Sequence, residues 1–486
     1  MPRRLAALTR WLAALTVLVS VGVFLVRGVA VARATAMAPG VAVTTGCEHE
    51  SFFGLWRALH HQPVFVDPAR VPFAAAYFNW LFYAGYAVPV GWAVSWRSDA
   101  VIPLAGRLVT AVGAITGAGL LFWLIRRHAA APPGLAAAVA SLVFMGPLTG
   151  WWALSVRPDV WALAAETAAL GALLSWYRAR PLQAALAAAA LAYVAWALKQ
   201  TSLLGLGAAL LFLLARRQWR TAGVLAATSA ALWLATFALL GPDYRTALLQ
   251  AAASGVFEFR SGWRNFVDML PKTAPLWVLG AAALAGDRPG VARRPDDRRL
   301  LGLLGLAASL PLAFVASCKP GAYSNYFFTP ILLLALVAAG ATAAGRARLF
   351  VPAGLGLAVA MQLLVASGKV GRLDLMPQAR EAAHRWAVWC RQPEPRYAAM
   401  ASLNQPWLNP ASPPLVLAYN YWSDRRAGRR FEAGGVGGLI AAGYFQTLLL
   451  PAETDREYDG GSLRWYERGE TVDGMAVFHR CAAISR

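Results

Sequence analysis

Long apolar runs alternate with short polar connections over the first three quarters of this chain. A membrane-spanning helix needs roughly 20 mostly apolar residues. Eleven runs near that length are predicted, at 11–32, 103–125, 135–155, 159–177, 182–198, 201–215, 221–240, 273–286, 300–317, 326–344 and 349–367. Beyond residue 367 the pattern becomes polar and changes period. Pro377 opens a helical pattern through Ala382, Trp386 and Trp389, and LVLAYNYW (415–422), GYFQTLLL (443–450), SLRWYE (462–467) and MAVFHR (475–480) predict short strands. The expected fold class is an all-α polytopic membrane protein with a small C-terminal α/β domain. The module 1–367 includes a long connection at 35–100, and the domain covers 368–486.

Composition agrees with this pattern and narrows the function classes. With 58% hydrophobic and 14% charged residues among 486, the chain is too apolar for a soluble protein. A formal charge of +21 raises nucleic-acid binding as a possibility. The basic residues argue against it, because they sit in the connections: Arg3, Arg4 and Arg10; Arg126 and Arg127; Arg178 and Arg180; Arg216, Arg217 and Arg220; the stretch 288–299; and Arg346 and Arg348. Alternate connections are therefore basic, which predicts a cytoplasmic N-terminus. The connection 35–100 has only Arg57, Arg70 and Arg97 against Glu48, Glu50, Asp67 and Asp99, as suits the outer face. Eleven spans put the C-terminal domain outside too. The first run reads as a retained helix, since its apolar core is long for a cleaved signal peptide.

No GxxxxGK[ST] phosphate cradle occurs, and the cluster Gly434, Gly435, Gly437 and Gly438 lacks dinucleotide-binding spacing and reads as a loop. Cys47, Cys318, Cys390 and Cys481 all fall outside the membrane in this topology. Disulfides Cys47–Cys318 and Cys390–Cys481 are one expectation, and free thiols are the other.

Candidate chemistry concentrates in the connections expected outside. TTGCEHESFFGLW, residues 44–56, carries Glu48 and Glu50 just past the first run. The aromatic stretch YFNWLFYAGYAVPVGW follows, with an apolar face suited to the membrane interface. Further polar groups stand at Arg157-Pro158-Asp159, at Lys199-Gln200-Thr201, and at Lys319-Pro320-Gly321 leading to Asn325-Tyr326-Phe327. A divalent cation is a possible cofactor, with His49, His60 and His61 available beside the glutamates but without zinc spacing.

The order of these motifs resembles bacterial integral-membrane glycosyltransferases of the GT-C fold, the broad group that includes aminoarabinose transferases and protein O-mannosyltransferases. The resemblance covers about 1–345. It departs from the family's Asp-Glu pair by having Cys47-Glu48-His49-Glu50, so the equivalent glutamate is open. It implies transfer of a sugar from a polyprenyl-phosphate donor to a glycan, lipid or protein acceptor at the outer face of a bacterial cytoplasmic membrane. A carboxylate would act as base on the acceptor hydroxyl, and cations would hold the leaving phosphate. The expected catalytic residues are Glu48 or Glu50. Arg157 and Lys319 are expected on the phosphate, and Asp159, Lys199, Gln200, Asn325 and Tyr326 on sugar or lipid head. Structural competitors are a helix cap for Glu48, an ion pair with Arg57 for Glu50 and interface anchoring for the rest. The alternative function is a transporter or flippase of lipid-linked intermediates, which needs polar residues within paired spans.

Overall fold

The computed structural model describes residues 2–44, 47–129, 131–253, 257–285, 296–319, 321–341, 349–368, 374–409, 415 and 421–481. Each of the eleven apolar runs is helical over at least part of its length. The helices are α1 (Pro2–Met37), α2 (Glu48–Leu59), α3 (Trp80–Trp96), α4 (Ile102–His128), α5 (Pro133–Phe144), α6 (Asp159–Trp176), α7 (Pro181–Leu198), α8 (Leu204–Ala215), α9 (Trp219–Leu239), α10 (Gly241–Ala253), α11 (Phe259–Ala285), α12 (Asp297–Ser317), α13 (Phe328–Ala338) and α14 (Phe350–Ala366). Among the described residues, five helices are long and apolar enough to cross a membrane: Arg3–Met37, Asp99–His128, Pro181–Leu198, Trp219–Leu239 and Asp297–Ser317. The chain is a multi-pass membrane protein. The other six runs fall on α5, α6, α8, α11, α13 and α14.

Two boundaries differ from the sequence pattern for visible reasons. The run 135–155 breaks at Phe144, ahead of Gly146-Pro147, and resumes as a 3-10 turn over Gly150–Leu154. The run 326–344 begins with a 3-10 turn, Ser324–Phe327, before α13, and its residues 342–344 lie outside the described ones. The connection at 286–295, expected inside, also lies outside them.

Small residues set how closely the helices approach. Gly106, Gly113 and Gly117 line one face of α4, and a Cβ at these positions would drive into Val156, Trp161 and Phe144 respectively. On α7, Ala184, Ala185, Ala188, Ala189, Ala192 and Ala195 are all buried. In lipid, where apolar burial gains little, such close backbone contact is the main source of helix association.

The connections sort to two ends of the bundle. At one end Asp297 pairs with both Arg178 (2.5 Å) and Arg216 (2.6 Å), Arg298 donates to the Leu336 carbonyl, and His128 meets Ser175. These are the basic connections expected inside. The start of α4, the end of α7 and the segments around 156 and 325 meet at the other end, together with the connection 35–100.

That connection is itself structured. Besides α2 it holds α3, whose Asn79 caps the helix by accepting from the Trp80 N–H (2.8 Å). One face of α3 buries Phe82, Tyr83, Tyr86 and Val90, while Val88, Trp92 and Trp96 are exposed. α10, a helix the apolar pattern did not single out, packs here through Tyr244, whose hydroxyl donates to Asn79 Oδ1 (2.5 Å).

The described C-terminal residues form α15 (Met376–Trp389), α16 (Tyr421–Arg426), α17 (Gly435–Ala441) and the strands β1 (Arg396–Ala398), β2 (Thr447–Pro451), β3 (Glu457–Tyr458), β4 (Gly461–Ser462), β5 (Tyr466–Val472) and β6 (Met475–Arg480). The main sheet has the order β1-β2-β6-β5, parallel between β1 and β2 and antiparallel elsewhere. Alternation along the strands divides its core. Leu448, Leu450, Ala476 and Phe478 face one layer with Val436 and Ile440, and Leu449 and Val477 face Trp389 on the other. Asp473 and Gly474, both at positive φ, close the β5–β6 hairpin in the two-residue form.

Three expectations are corrected here. The predicted strand 415–422 ends in helix from Tyr421, with 416–420 outside the described residues. SLRWYE divides between β4 and β5, and part of the glycine cluster opens α17 instead of a loop. The sheet layer sits on the connection 35–100. Phe73 is fully buried against Tyr421 and Phe431, Arg429 pairs with Asp67 (3.1 Å), and the Glu432 carboxylate accepts from the Val71 N–H (2.9 Å).

Candidate active site

The site is built where three helix ends meet. Pro158 starts α6 one residue ahead of Asp159, α7 ends before Lys199, and the 3-10 turn Ser324–Phe327 leads into α13 with Asn325. Asp159 is the hub. Its Oδ1 accepts from Lys199 Nζ (2.5 Å) and Asn325 Nδ2 (2.6 Å), and its Oδ2 from Arg157 Nε (3.3 Å). All four groups are buried or nearly so. Two cations against one carboxylate leave this cluster with a net positive charge.

Arg157 is held between aromatic rings, with its guanidinium carbon 4.2 Å from the Trp152 ring centre and 5.3 Å from that of Phe78. Its backbone carbonyl accepts from the Tyr86 hydroxyl (3.0 Å). Its Nη1 is buried and has no hydrogen-bond partner. An unfilled donor on a buried guanidinium is costly, and an oxyanion is the group that fills it best.

Glu48 belongs to a different network. Its Oε1 accepts from Arg107 Nε (3.1 Å) and the Val156 N–H (3.0 Å), and its Oε2 from the N–H groups of Val43 (2.6 Å) and Thr44 (3.2 Å). Arg107 also donates to Thr35 Oγ1 and to the Val41 carbonyl (2.5 Å). Four donors fill the carboxylate's acceptor positions, and the side chain is wholly buried. In this structure Glu48 fastens the connection to α4 and to the residue preceding Arg157, and its acceptor positions are not left open. Nor does Glu48 cap α2, since these N–H partners lie outside that helix.

Glu50 is buried two residues further on. Its charge is felt at Cys47 and Tyr83, and Cys47 in turn feels Arg157 and Asp159. Glu50 and the Arg157–Asp159 pair thus have Cys47 as a shared electrostatic neighbour. Arg57, its expected partner, lays its guanidinium 5.3 Å from the Phe53 ring centre.

A cavity of ≈ 70 Å³ opens beside the hub, lined by Asp159, Lys199, Asn325 and Tyr326. Lys199 Nζ lies 5.4 Å from the Tyr326 ring centre. The structure thus brings four of the expected contact residues to one space, with Arg157 adjoining. Gln200 and Lys319 do not line it. Gln200 Nε2 donates to the Tyr77 carbonyl (2.7 Å), tying α3's lead-in to the end of α7. Lys319 follows α12 in a loop that Asn265 holds by donating to the Ser317 (3.2 Å) and Ala322 (2.9 Å) carbonyls. Burial lowers the Lys319 ammonium from its ordinary range. Sequence reasoning gave no role to Glu166, which lines the far part of the same cavity on α6. The signal was available, since a carboxylate inside an apolar span is a functional candidate by default.

No protein-family model matches the chain, and no curated protein does. Two solved structures of the Archaeoglobus fulgidus oligosaccharyltransferase are similar to it. The complex with zinc and sulfate has 14% identity and a TM-score of 0.47, covering 82% of this chain and 61% of that one. The apo form has 14% identity and a TM-score of 0.48, covering 86% and 65%. The chain therefore spans less than two thirds of the length of either match.

Among the described residues no three His, Cys, Asp or Glu side chains gather to hold a metal ion. The histidines offered as ligands have other partners, His49 with the Gly40 carbonyl (3.0 Å) and His60 with Asp99 (3.0 Å). Neither expected disulfide is formed, and all four cysteines are free. Burial pushes the Cys47 thiol up to about 12, which keeps it protonated and unreactive at neutral pH.

Proposed function

We propose that this protein transfers a sugar from a polyprenyl-phosphate donor to an acceptor hydroxyl at the outer face of the membrane. The buried Arg157 guanidinium with an unfilled N–H, set beside the Asp159–Lys199–Asn325 hub and its cavity, is the observation that carries the reading. A phosphate seated there meets fixed, largely buried donors, and preorganised donors of this kind stabilise developing negative charge. The bond from the anomeric carbon to the phosphate oxygen breaks, the electron pair leaves on the lipid phosphate, and the acceptor oxygen forms the new bond.

Glu50 is the base in this scheme. It takes the acceptor hydroxyl's proton as the new bond forms. Glu48 positions Arg157 through the Val156 N–H, and Lys319 approaches the phosphate from its loop. One carboxylate base and a leaving group needing no proton are consistent with inversion at the anomeric carbon. The site end of the bundle faces outward in this reading, with the C-terminal α/β domain, 368–486, seated over the connection 35–100 to receive the acceptor. The gathering of polar groups at one end of the bundle supports surface chemistry over passage of a lipid through it.

The test is transfer from radiolabelled polyprenyl-phosphate sugars by the full-length protein in proteoliposomes. Arg157→Leu is expected to lower turnover by about 10²- to 10³-fold, as removal of an oxyanion donor does. Absence of transfer by the wild-type protein from mannosyl, glucosyl and arabinosyl donors alike overturns the reading.

A further inference from the structure

The cavity beside the hub extends along α6, and its far part carries further polar groups. Asp159, Leu163 and Glu166 stand on one face of the helix, at spacings of four and three residues, so the two carboxylates are about 10 Å apart along the axis. Thr201, Ser202 and Thr329 add hydroxyls, and Leu204, Leu312 and Phe328 add apolar wall. Glu166 is 2% exposed, with Oε2 accepting from the Thr329 hydroxyl (2.6 Å) and Oε1 more weakly from the Gly205 N–H (3.4 Å). An ionised carboxylate has about four acceptor positions. Two contacts leave the rest directed at space, and Glu166 also lines a second, smaller cavity of ≈ 10 Å³.

A cavity of ≈ 70 Å³ is several times the space of about 10–15 Å³ that admits one water. Apolar wall beside clustered acceptors and hydroxyls is the surface that a ring with an apolar face and polar edges fits.

Resting on the function proposed above, we infer that Glu166 reads a hydroxyl of the donor's sugar. The phosphate stays at the Arg157–Lys199 mouth, and the ring enters the cavity. A hydroxyl on the ring's far side donates to the Glu166 carboxylate, which Thr329 aims. The site therefore selects a single neutral sugar with a free hydroxyl opposite the anomeric carbon, and rejects donors deoxygenated or blocked there.

The experiment measures KM and kcat of wild type, Glu166→Gln and Thr329→Val in proteoliposomes. The substrates are whichever of the mannosyl, glucosyl and arabinosyl polyprenyl phosphates turns over, and its monodeoxy forms. Wild type is expected to lose about 10- to 100-fold in kcat/KM with one deoxy donor, the range of a hydrogen bond to a charged group. Glu166→Gln should show a similar loss with the parent donor but little further loss with that deoxy donor, and Thr329→Val should show the same trend more weakly. If Glu166→Gln is impaired equally with parent and deoxy donors, or with none, Glu166 does not touch the sugar and the inference falls while the glycosyltransferase reading stands. Failure of the wild type with every parent donor overturns both.

Discussion

The two glutamates of the first connection can be separated by a stability measurement combined with an activity measurement. In Glu48→Gln the shape is kept, but every one of the four partners is a donor. The amide must present its NH₂ to two of them in either orientation, and Arg107 is left buried without its counter-charge. Breaking one side of a buried ion pair costs about 3–5 kcal/mol. With an unfolding entropy of about 2.1 cal/mol/K per residue, the 486-residue chain loses about 1 °C in Tm per kcal/mol. The expected fall is therefore about 3–5 °C, read by tryptophan fluorescence of the detergent-purified protein. Adding Arg107→Met should restore part of it, since the stranded charge is then gone. Glu50→Gln should shift Tm less and lower turnover by about 10²- to 10⁴-fold, the usual contribution of a general base. A Glu48→Gln protein with wild-type Tm and no turnover, beside an active Glu50→Gln protein, would refute the assignment.

Other outcomes follow from single contacts. His49 is pushed below its ordinary value mainly by burial, so the unfolded chain binds its proton more readily. Its contribution to stability is present above about pH 6.5 and is lost as pH falls below that, towards the lower folded value. The drop in Tm between pH 7.5 and 5 should shrink in His49→Gln. Gly117→Ala should lower Tm by about 1–3 °C, because overpacking against Phe144 costs about 1–3 kcal/mol. Gly119→Ala, two positions along and facing open space, should leave Tm equal or slightly higher. Gly474→Ala should destabilise the β5–β6 hairpin by about 1–2 kcal/mol, because φ is +77° there, and limited proteolysis of the C-terminal residues would register it.

Much of the helical layout was legible because it depends on length and apolarity alone. The break after Phe144 was also written in the chain, as Gly146-Pro147, but a run of 21 residues masked it. Sorting of Arg178, Arg216 and Asp297 to one end of the bundle was readable from alternation of basic connections, since charges at span ends cannot cross the apolar layer. Cysteine pairing was not readable. Sharing a compartment does not bring two sulfurs together, and Cys318 instead donates to the Phe314 carbonyl (3.3 Å) in its own helix. The C-terminal hairpins carried a plain signal in Asp459-Gly460 and Asp473-Gly474, whereas α10 depends on its tertiary partner, with Tyr244 reaching Asn79 across the fold.

The ambiguity between Glu48 and Glu50 had a geometric answer that sequence spacing only half supplies. Once SFFGLWRAL is read as helix, residues two apart differ by about 200° around its axis and cannot serve the same surface. One of the pair must face the body of the bundle and the other the connection's opposite side. Which does which depends on the partner that approaches, and that partner is Arg107, five residues into α4 and far away in the chain. A carboxylate stabilises a buried guanidinium in an apolar span, and Glu48 supplies it to Arg107. The demand comes from Arg107 and from the open backbone N–H groups of Val43, Thr44 and Val156. That leaves Glu50 as the carboxylate to which the proposed scheme gives the base's role.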